Sequence, residues 1–156
     1  MIETVESAGQ AERLDRLLGQ TTRPDAYPVL LQVNVDRDPA KAGFSAEEME
    51  RSIQAVLACR RLDVRGLMTV GRLVRDPAEA RPTFVALRAL SERLRSIAPG
   101  LGSELSMGMT DDFEIAVEEG ATIVRVGRAL FGERAHDHPD GHTDGVAVDH
   151  PVGHRH

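Results

Sequence analysis

The sequence predicts an α/β protein with parallel strands, and two observations support this class. Apolar, strand-like runs begin near residues 2, 29, 62, 104 and 122, and each is followed by a helical pattern or a terminal segment. Strict alternation of strand and helix is typical of parallel strands joined by right-handed crossovers. The mean strand spacing is also close to that of a (β/α)8 barrel, which uses about 31 residues per unit. Two architectures stay open, a doubly wound sheet and part of a barrel, because five strands do not close a barrel.

The first part of the chain predicts two strand–helix units. Residues 1–5 alternate weakly and predict an opening strand. A helix is predicted over 8–18, with an apolar face made of Ala11, Leu14, Leu17 and Leu18. The run 29–35 is short, apolar and β-branched, as expected of a strand that is buried on both faces. The second helix begins with a capping-box pattern, in which Ser45 precedes Glu48 by three residues, and its buried stripe is Met49, Ile53, Val56 and Leu57.

The second part continues the alternation. A strand is predicted over 62–68, and a long helix then runs to about residue 97 with a proline in its first turn. The apolar face of this helix is Phe84, Leu87, Leu90, Leu94 and Ile97. Further strands over 103–106 and 123–126 flank a helix over 111–119.

The composition changes near residue 133. All six histidines lie between residues 136 and 156, together with Gly, Asp and Pro and almost no core-forming residues. This predicts a folded domain over 1–134 and a His-rich disordered tail over 135–156. Clustered histidines can bind zinc, but their irregular spacing and the lack of a scaffold predict no metal site.

Composition and charge exclude several functional classes. The net charge of −6 argues against nucleic acid, whose phosphates require a basic face. The sequence contains no run of about 18 apolar residues, so no membrane span is predicted. The first residues also lack the pattern of a signal peptide. Cys59 is the only cysteine, so an internal disulfide is impossible and a reducing cytoplasm is the expected location. We expect Cys59 to pack near a helix end without further role.

The stretch 105–132 contains the main functional signal. It predicts strand, turn, helix, strand and turn, with Gly108 and Thr110 at the first turn and Gly127 at the second. Small and hydroxyl residues beside helix-opening N–H groups suit a phosphate. The alternative for Thr110 is a plain helix N-cap. Arg125 is a charge inside an apolar strand, and it needs either a ligand or a carboxylate on a neighbouring strand as its partner.

These residues resemble the pyridoxal phosphate homeostasis protein family, the alanine-racemase-like proteins that bind pyridoxal phosphate. The resemblance runs from residue 1 to about 134 and is most specific over 105–132. The matching segments are Ile2-Glu-Thr-Val-Glu-Ser7, Leu31-Gln-Val-Asn-Val35, Lys41-Ala-Gly43, Arg65-Gly-Leu-Met68, Leu105-Ser-Met-Gly-Met-Thr-Asp-Asp112, Glu119-Gly-Ala-Thr122, Val124-Arg-Val-Gly127 and Phe131-Gly132.

The resemblance implies a TIM barrel that is incomplete in this chain, with about five β/α units, and a non-catalytic protein that buffers or delivers pyridoxal 5'-phosphate. The cofactor-binding residues that it implies are Ser106, Gly108, Met109, Thr110, Arg125, Gly127 and Arg128. Most of them would hold the phosphate, whereas Arg125 would contact the pyridine nitrogen or support the phosphate. A guanidinium cannot accept a proton and would keep that nitrogen unprotonated.

The chain departs from the family at the lysine that binds the cofactor covalently. The resemblance implies a lysine that binds the cofactor as a Schiff base, on a strand before the segment that matches Met1. That segment, about three strand–helix units, is expected to be absent here. Lys41, the only lysine, matches a different family lysine and is expected to be a solvated loop residue. Thr110 replaces the usual serine, and Arg128 stands where a small hydroxyl residue is common.

Two other functions stay open at the level of the sequence. A racemase-like enzyme would need a basic amine or phenol, for which Lys41 and Tyr27 are the local candidates. A fragment that acts only by interaction would expose unpaired sheet edges and could self-associate through them. The residues favour the non-catalytic carrier.

Overall fold

The computed structural model describes residues 1–22, 24–72 and 74–127. The strands are β1 (Ile2–Val5), β2 (Tyr27–Gln32), β3 (Leu62–Met68), β4 (Glu104–Met109) and β5 (Ile123–Arg125). The helices are α1 (Ala8–Leu18), α2 (Ala46–Leu57), α3 (Arg81–Ile97) and α4 (Phe113–Glu118), and a 3-10 turn over Pro77–Ala80 precedes α3. The predicted tail and the end of the predicted domain lie outside the described residues, so that boundary stays a prediction.

The sheet order distinguishes the two architectures. All strand pairs are parallel, and the strands lie side by side in sequence order from β1 to β5. A doubly wound sheet reverses its strand order at a switch point, whereas a barrel adds each new strand on the same side. Right-handed crossovers then leave every helix on one face of the sheet. The expected incomplete barrel of five β/α units is therefore confirmed.

The sheet is strongly curled. β1 and β4 are separated by two strands, which in a flat sheet would set them about 14 Å apart. Nevertheless, the Ser106 hydroxyl on β4 donates to Glu3 Oε2 on β1 at 2.7 Å. This contact across the concave face requires the curvature of a barrel wall.

The main core lies between the convex face of the sheet and the helices. Strand residues on this face are fully or almost fully buried, namely Val29, Leu31, Leu67, Leu105 and Met107. They pack with the buried helix residues Ala11, Met49, Ile53, Phe84, Leu87 and Leu94. Leu30 and Met68 are also buried but stand apart from this cluster. Because Met68 is the register partner of Ser106, both side chains belong to the concave face.

The local sequence patterns predicted the first residues of most helices and strands correctly. The capping box of α2 is present, since Glu48 N donates to Ser45 Oγ and Ser45 N donates to Glu48 Oε2. The Ser45 backbone N–H, with a smaller contribution from the Ser45 side chain, lowers the pKa of the Glu48 carboxyl. A proline lies in the first turn of α3, as predicted. Cys59 is buried just after α2, and burial raises the pKa of its thiol.

Several boundaries were wrong for reasons of tertiary pairing. The strand predicted over 29–35 covers Tyr27–Gln32, because Val33 bridges to Phe44 and the chain leaves the sheet there. The strand predicted over 103–106 covers Glu104–Met109, because β5 pairs with it as far as Met109. The helix predicted over 111–119 is α4, Phe113–Glu118, and the strand predicted over 123–126 is β5.

Two residues of the predicted apolar faces are exposed. Ile97 is the last residue of α3 and is 55% exposed, since the final turn extends beyond the layer it packs on. Leu17 in α1 is 48% exposed, and Ala11 is the only buried residue of that helix. Among the described helices, none combines the length and apolar character needed to cross a bilayer.

An ion-pair network joins α3 to the end of α4. Arg81 pairs with both Glu118 and Glu119, and Arg88 Nη1 lies 2.9 Å from Glu119 Oε2. These contacts raise the pKa of the Arg81 guanidinium. The Glu119 side chain is only 11% exposed, so its charge depends on these partners rather than on water.

We expect Glu119→Gln to lower the free energy of unfolding by about 1–2 kcal/mol, because two arginines lose a shared partner that is nearly buried. This decrease is smaller than that expected for a fully buried ion pair, because both arginines are partly solvated. Urea denaturation measures the change. Glu114→Gln, on the exposed side of the same helix, is the matched control. Equal stability of the two variants would contradict the prediction.

Candidate cofactor site

Arg125 extends from β5 over the concave face of the sheet. Its Nη1 donates to Ser106 Oγ and its Nη2 donates to the Thr69 carbonyl oxygen, both at 2.7 Å. Ser106 is fully buried, so its hydroxyl lies inside the curled sheet rather than at its edge. The structure therefore brings together two of the predicted site residues, one on each of two neighbouring strands.

The sequence predicted either a ligand or a carboxylate as the partner of Arg125. The observed partners are a hydroxyl and a carbonyl, and the nearest link to a carboxylate runs through Ser106 to Glu3. Burial lowers the pKa of the Arg125 guanidinium, and the charges of Glu3 and Asp112 oppose that decrease. Arginine remains protonated in proteins, so Arg125 is a half-buried cation and a pure hydrogen-bond donor.

Gly108 is required by packing. It lies inside β4 rather than in the following turn, with a φ of +89°. A Cβ at this position would lie 2.5 Å from Ala116 Cβ and 3.1 Å from Phe113 Cα. The absence of a side chain therefore lets α4 approach the strand closely, and the space beside Gly108 is filled by the protein itself.

Residues 110–112 form the turn between β4 and α4. Asp112 Oδ1 accepts a hydrogen bond from Met109 N at 2.6 Å, which closes this turn. The N-cap of α4 is Asp112, so the alternative interpretation of Thr110 as a helix cap was wrong. The Met109 N–H is engaged by a carboxylate, whereas the partly buried Thr110 lies at the open edge.

Gly127 follows β5 and is exposed, and a Cβ built there would meet no atom of the described residues within 4 Å. Its backbone is accessible to a ligand without any rearrangement of the described residues. Arg128, the last predicted site residue, lies outside the described residues. Binding of the cofactor by any of the predicted residues stays a prediction.

Lys41 is not the solvated loop residue that the sequence suggested. Its Nζ donates to the carbonyl oxygens of Gly71 at 2.7 Å and Val70 at 3.2 Å. Asp38 Oδ2 lies 3.7 Å away, and the lysine side chain is 23% exposed. All three hydrogens of the ammonium thus have acceptors or a countercharge nearby. Lys41 ties the loop after β2 to the loop after β3.

We expect Lys41→Met to release the loop after β3, because the variant cannot hydrogen-bond to the two carbonyls. Amide hydrogen exchange in residues 70–72 should become faster, and the free energy of unfolding should decrease by about 1–2 kcal/mol. Lys41→Arg, which keeps charged donors, is the matched control and should show a smaller change. Unchanged exchange in Lys41→Met would contradict this role.

A cavity of about 400 Å³ opens beside the lysine, at the carboxyl edge of the sheet. Its charged lining consists of three cations and two carboxylates, namely Lys41, Arg72, Arg75, Asp111 and Asp112. Val70, Val74, Pro77 and Met109 add an apolar surface. The volume lies in the range of small-molecule sites. The sequence placed Lys41, Arg72 and Arg75 in loops and Asp111 and Asp112 at the start of a helix, and these segments meet only once the strands are paired.

The cavity lies next to the residues that hold Arg125. Val70 follows Thr69, whose carbonyl binds Arg125, and Met109 is the register partner of Arg125. Of the predicted site residues that the structure describes, Met109 is the one that lines the cavity. Tyr27, the candidate phenol, begins β2 and therefore lies at the amino edge, opposite the cavity. The residues around Arg125 and the adjoining cavity both lie at the carboxyl ends of the strands. Ligand sites of barrels usually lie at this edge.

Comparison with known proteins supports this fold and identifies the family of the chain. The sequence profile described as the alanine racemase N-terminal domain matches residues 1–135, and the chain belongs to this family.

Within it, the chain is 42% identical over 106 residues to the pyridoxal phosphate homeostasis protein of Aquifex aeolicus, covering 68% of this chain and 46% of that protein. The fold is also similar to PipY of Synechococcus elongatus. Without pyridoxal phosphate, PipY gives a TM-score of 0.78 at 39% identity, and with pyridoxal phosphate bound it gives 0.75 at 36%. Each match covers 84% of this chain and 60% of PipY. The chain spans about half the length of the curated relatives it matches.

Proposed function

We propose that this chain binds pyridoxal 5'-phosphate at the carboxyl edge of its curled sheet and acts as a non-catalytic carrier in pyridoxal phosphate homeostasis. The observation that carries the proposal is Arg125, a half-buried cation that is held on the concave face next to an open cavity. The similarity to proteins named for this role, and to PipY with the cofactor bound, supports it.

The residues present fit the pyridine end of the cofactor. When bound, pyridoxal phosphate supplies an electron-withdrawing ring whose strength depends on protonation of its nitrogen. Arg125 can donate a hydrogen bond to that nitrogen but cannot protonate it, because a guanidinium keeps its protons. Such a contact orients the ring while keeping it a weak electron sink, which suits a carrier.

The phosphate end fits a smaller set of residues than the sequence implied. Gly127 has an exposed backbone, and Thr110 is a partly buried residue of the turn after β4. The Ser106 hydroxyl and the Met109 N–H are already hydrogen-bonded within the protein. We therefore propose that Gly127 and Thr110 hold the phosphate, with Arg128, the next residue in the sequence, as a further candidate, and that Ser106 acts through Arg125.

We further propose that the chain corresponds to the C-terminal portion of the relatives and lacks their covalent lysine. Lys41 is the only lysine of the sequence, and its amine is engaged by the carbonyls of Val70 and Gly71. A lysine that attacks an aldehyde needs a free, unprotonated amine. We accordingly expect binding in this chain to be non-covalent.

The partners and location follow from the same features. Within the described residues β1 and β5 each pair with one strand, and an unpaired strand edge can associate with another chain. We propose self-association through these edges, no binding to nucleic acid or membrane, and a cytoplasmic location. Light scattering over a range of protein concentrations tests the self-association.

Calorimetric titration of the full chain tests the proposed function. Pyridoxal 5'-phosphate should bind at least about tenfold more tightly than pyridoxal, because only the former uses charge-assisted contacts to phosphate. Gly127→Ala should weaken binding of the phosphate form alone, with Gly9→Ala, also in open space, as the matched control. Equal affinity for the two compounds would refute the phosphate site.

A further inference from the structure

A continuous series of hydrogen bonds crosses the concave face and joins residues that lie in, or one position beyond, each of the five strands. Glu3 on β1 accepts from Ser106 on β4, and Ser106 accepts from Arg125 on β5. Arg125 donates in turn to the carbonyl of Thr69, one residue beyond β3. The Thr69 hydroxyl donates to the Val33 carbonyl at 2.7 Å, one residue beyond β2. The guanidinium is thus attached to a scaffold built from five strands.

The direction of these bonds is determined by chemistry. Arg125 has only donors, so Ser106 Oγ must accept from it. The single Ser106 proton is then directed to Glu3, whose ionised carboxylate has only acceptors. A reversed arrangement would leave two donors facing each other. The carboxylate of Glu3 therefore selects the hydroxyl orientation that holds one terminal nitrogen of Arg125.

These bonds leave part of the guanidinium for a ligand. To the described residues, Arg125 donates one hydrogen from each terminal nitrogen. Its Nε–H and the second hydrogen of each terminal nitrogen are not used by them. Because the fork is planar and rigid, fixing two positions also fixes the directions of the remaining N–H groups.

We propose that Glu3 and Ser106 are positioning residues, which hold Arg125 so that a remaining N–H points to the ring nitrogen of a bound pyridine compound. This role rests on the proposed function and goes beyond it, because neither residue contacts the ligand. Glu3 also supplies the countercharge that a half-buried cation requires. No local pattern marks Glu3, since it reaches Ser106 only through the curvature of the sheet.

The first experiment uses the full chain without ligand. Arginine-selective ¹⁵N NMR follows the guanidinium of Arg125 in the wild type, Glu3→Gln and Ser106→Ala, with Glu6→Gln as an exposed control. The wild type and the control should show separate, slowly exchanging signals for the two terminal nitrogens. In Glu3→Gln and Ser106→Ala these signals should merge as rotation becomes faster. Separate signals in both variants would overturn the positioning role.

The second experiment adds pyridoxal 5'-phosphate that is labelled with ¹⁵N in its ring. In the wild type, the bound nitrogen should resonate as an unprotonated pyridine that accepts a hydrogen bond. Glu3→Gln and Ser106→Ala should shift this resonance toward that of a protonated ring and weaken binding about tenfold, as expected for the loss of a charge-assisted hydrogen bond. Glu6→Gln should change neither quantity.

The outcomes separate the two proposals. A wild-type chain that gives no bound-cofactor resonance would refute the proposed function and the role toward the ligand, while the first experiment would still decide whether Glu3 and Ser106 hold Arg125. A bound resonance that neither variant moves would overturn the positioning role alone. Glu3→Gln keeps the size of the side chain but removes its charge and replaces one acceptor with a donor. Thermal melts that match the wild type would exclude misfolding as the cause.

Discussion

Gly66→Ala is expected to abolish stable folding of this chain. Gly66 lies in β3 opposite Glu104, with a φ of +157°, and a Cβ there would lie 1.9 Å from the Glu104 carbonyl oxygen. The obstacle is backbone, so no side-chain movement can relieve the clash. β3 and β4 would have to separate in the middle of the sheet. We expect a loss of more than about 4 kcal/mol, a large part of the stability of a domain this size.

Urea denaturation followed by circular dichroism measures this effect. Gly9→Ala is the matched control, because Gly9 lies in α1 where an added Cβ would meet no atom within 4 Å, and alanine is the better helix former. That variant should be as stable as the wild type or slightly more stable. A Gly66→Ala chain with a wild-type unfolding curve would show that the two strands do not pair as closely as described.

Arg125→Met is expected to weaken binding of pyridoxal 5'-phosphate by about 10- to 100-fold. Methionine approximates the length of the side chain but removes every donor, so the ring nitrogen would lose a hydrogen bond from a charged group. Glu3 and Ser106 would also lose their link to the cation. We therefore expect a moderate loss of stability as well, and binding has to be measured where the variant is folded.

Fluorescence or absorbance titration with the cofactor gives the comparison. Arg60→Met, an exposed arginine after α2, controls for the change in net charge. Arg125→Lys keeps the charge but not the planar fork, and it should recover stability better than affinity. If Arg125→Met bound the cofactor like the wild type, Arg125 would be a structural cation and the ring nitrogen would have another partner.

Local chemistry explains which features were predictable from the sequence. The helix starting after Ser45, the proline-led start of α3 and the strand Leu62–Met68 depend on neighbours within a few residues, and all three appear as predicted. The family resemblance also rests on contiguous motifs, especially Leu105–Asp112. The order of strands and helices follows from the alternation of hydrophobic periods alone.

Pairing and curvature explain what was not predictable. The boundaries of β2 and β4 depend on where their partners end, and Lys41 finds its acceptors 29 and 30 residues away in another loop. Gly108 is predicted from the sequence as a cofactor contact, and only the structure shows that its missing side chain is required for packing against Ala116 and Phe113 of α4. In each case the deciding contact involves a residue that the local pattern does not identify.

The sequence by itself determined an α/β chain of parallel strands, an acidic surface and a motif that resembles a pyridoxal phosphate site, because these depend on composition and short-range spacing. The incomplete barrel was expected from the family resemblance, but only the tertiary structure decided that Arg125 is held by Ser106 and Glu3. The reason is physical: residues 103 positions apart meet across the concave face because the sheet bends, and its curvature results from the packing of all its strands and helices.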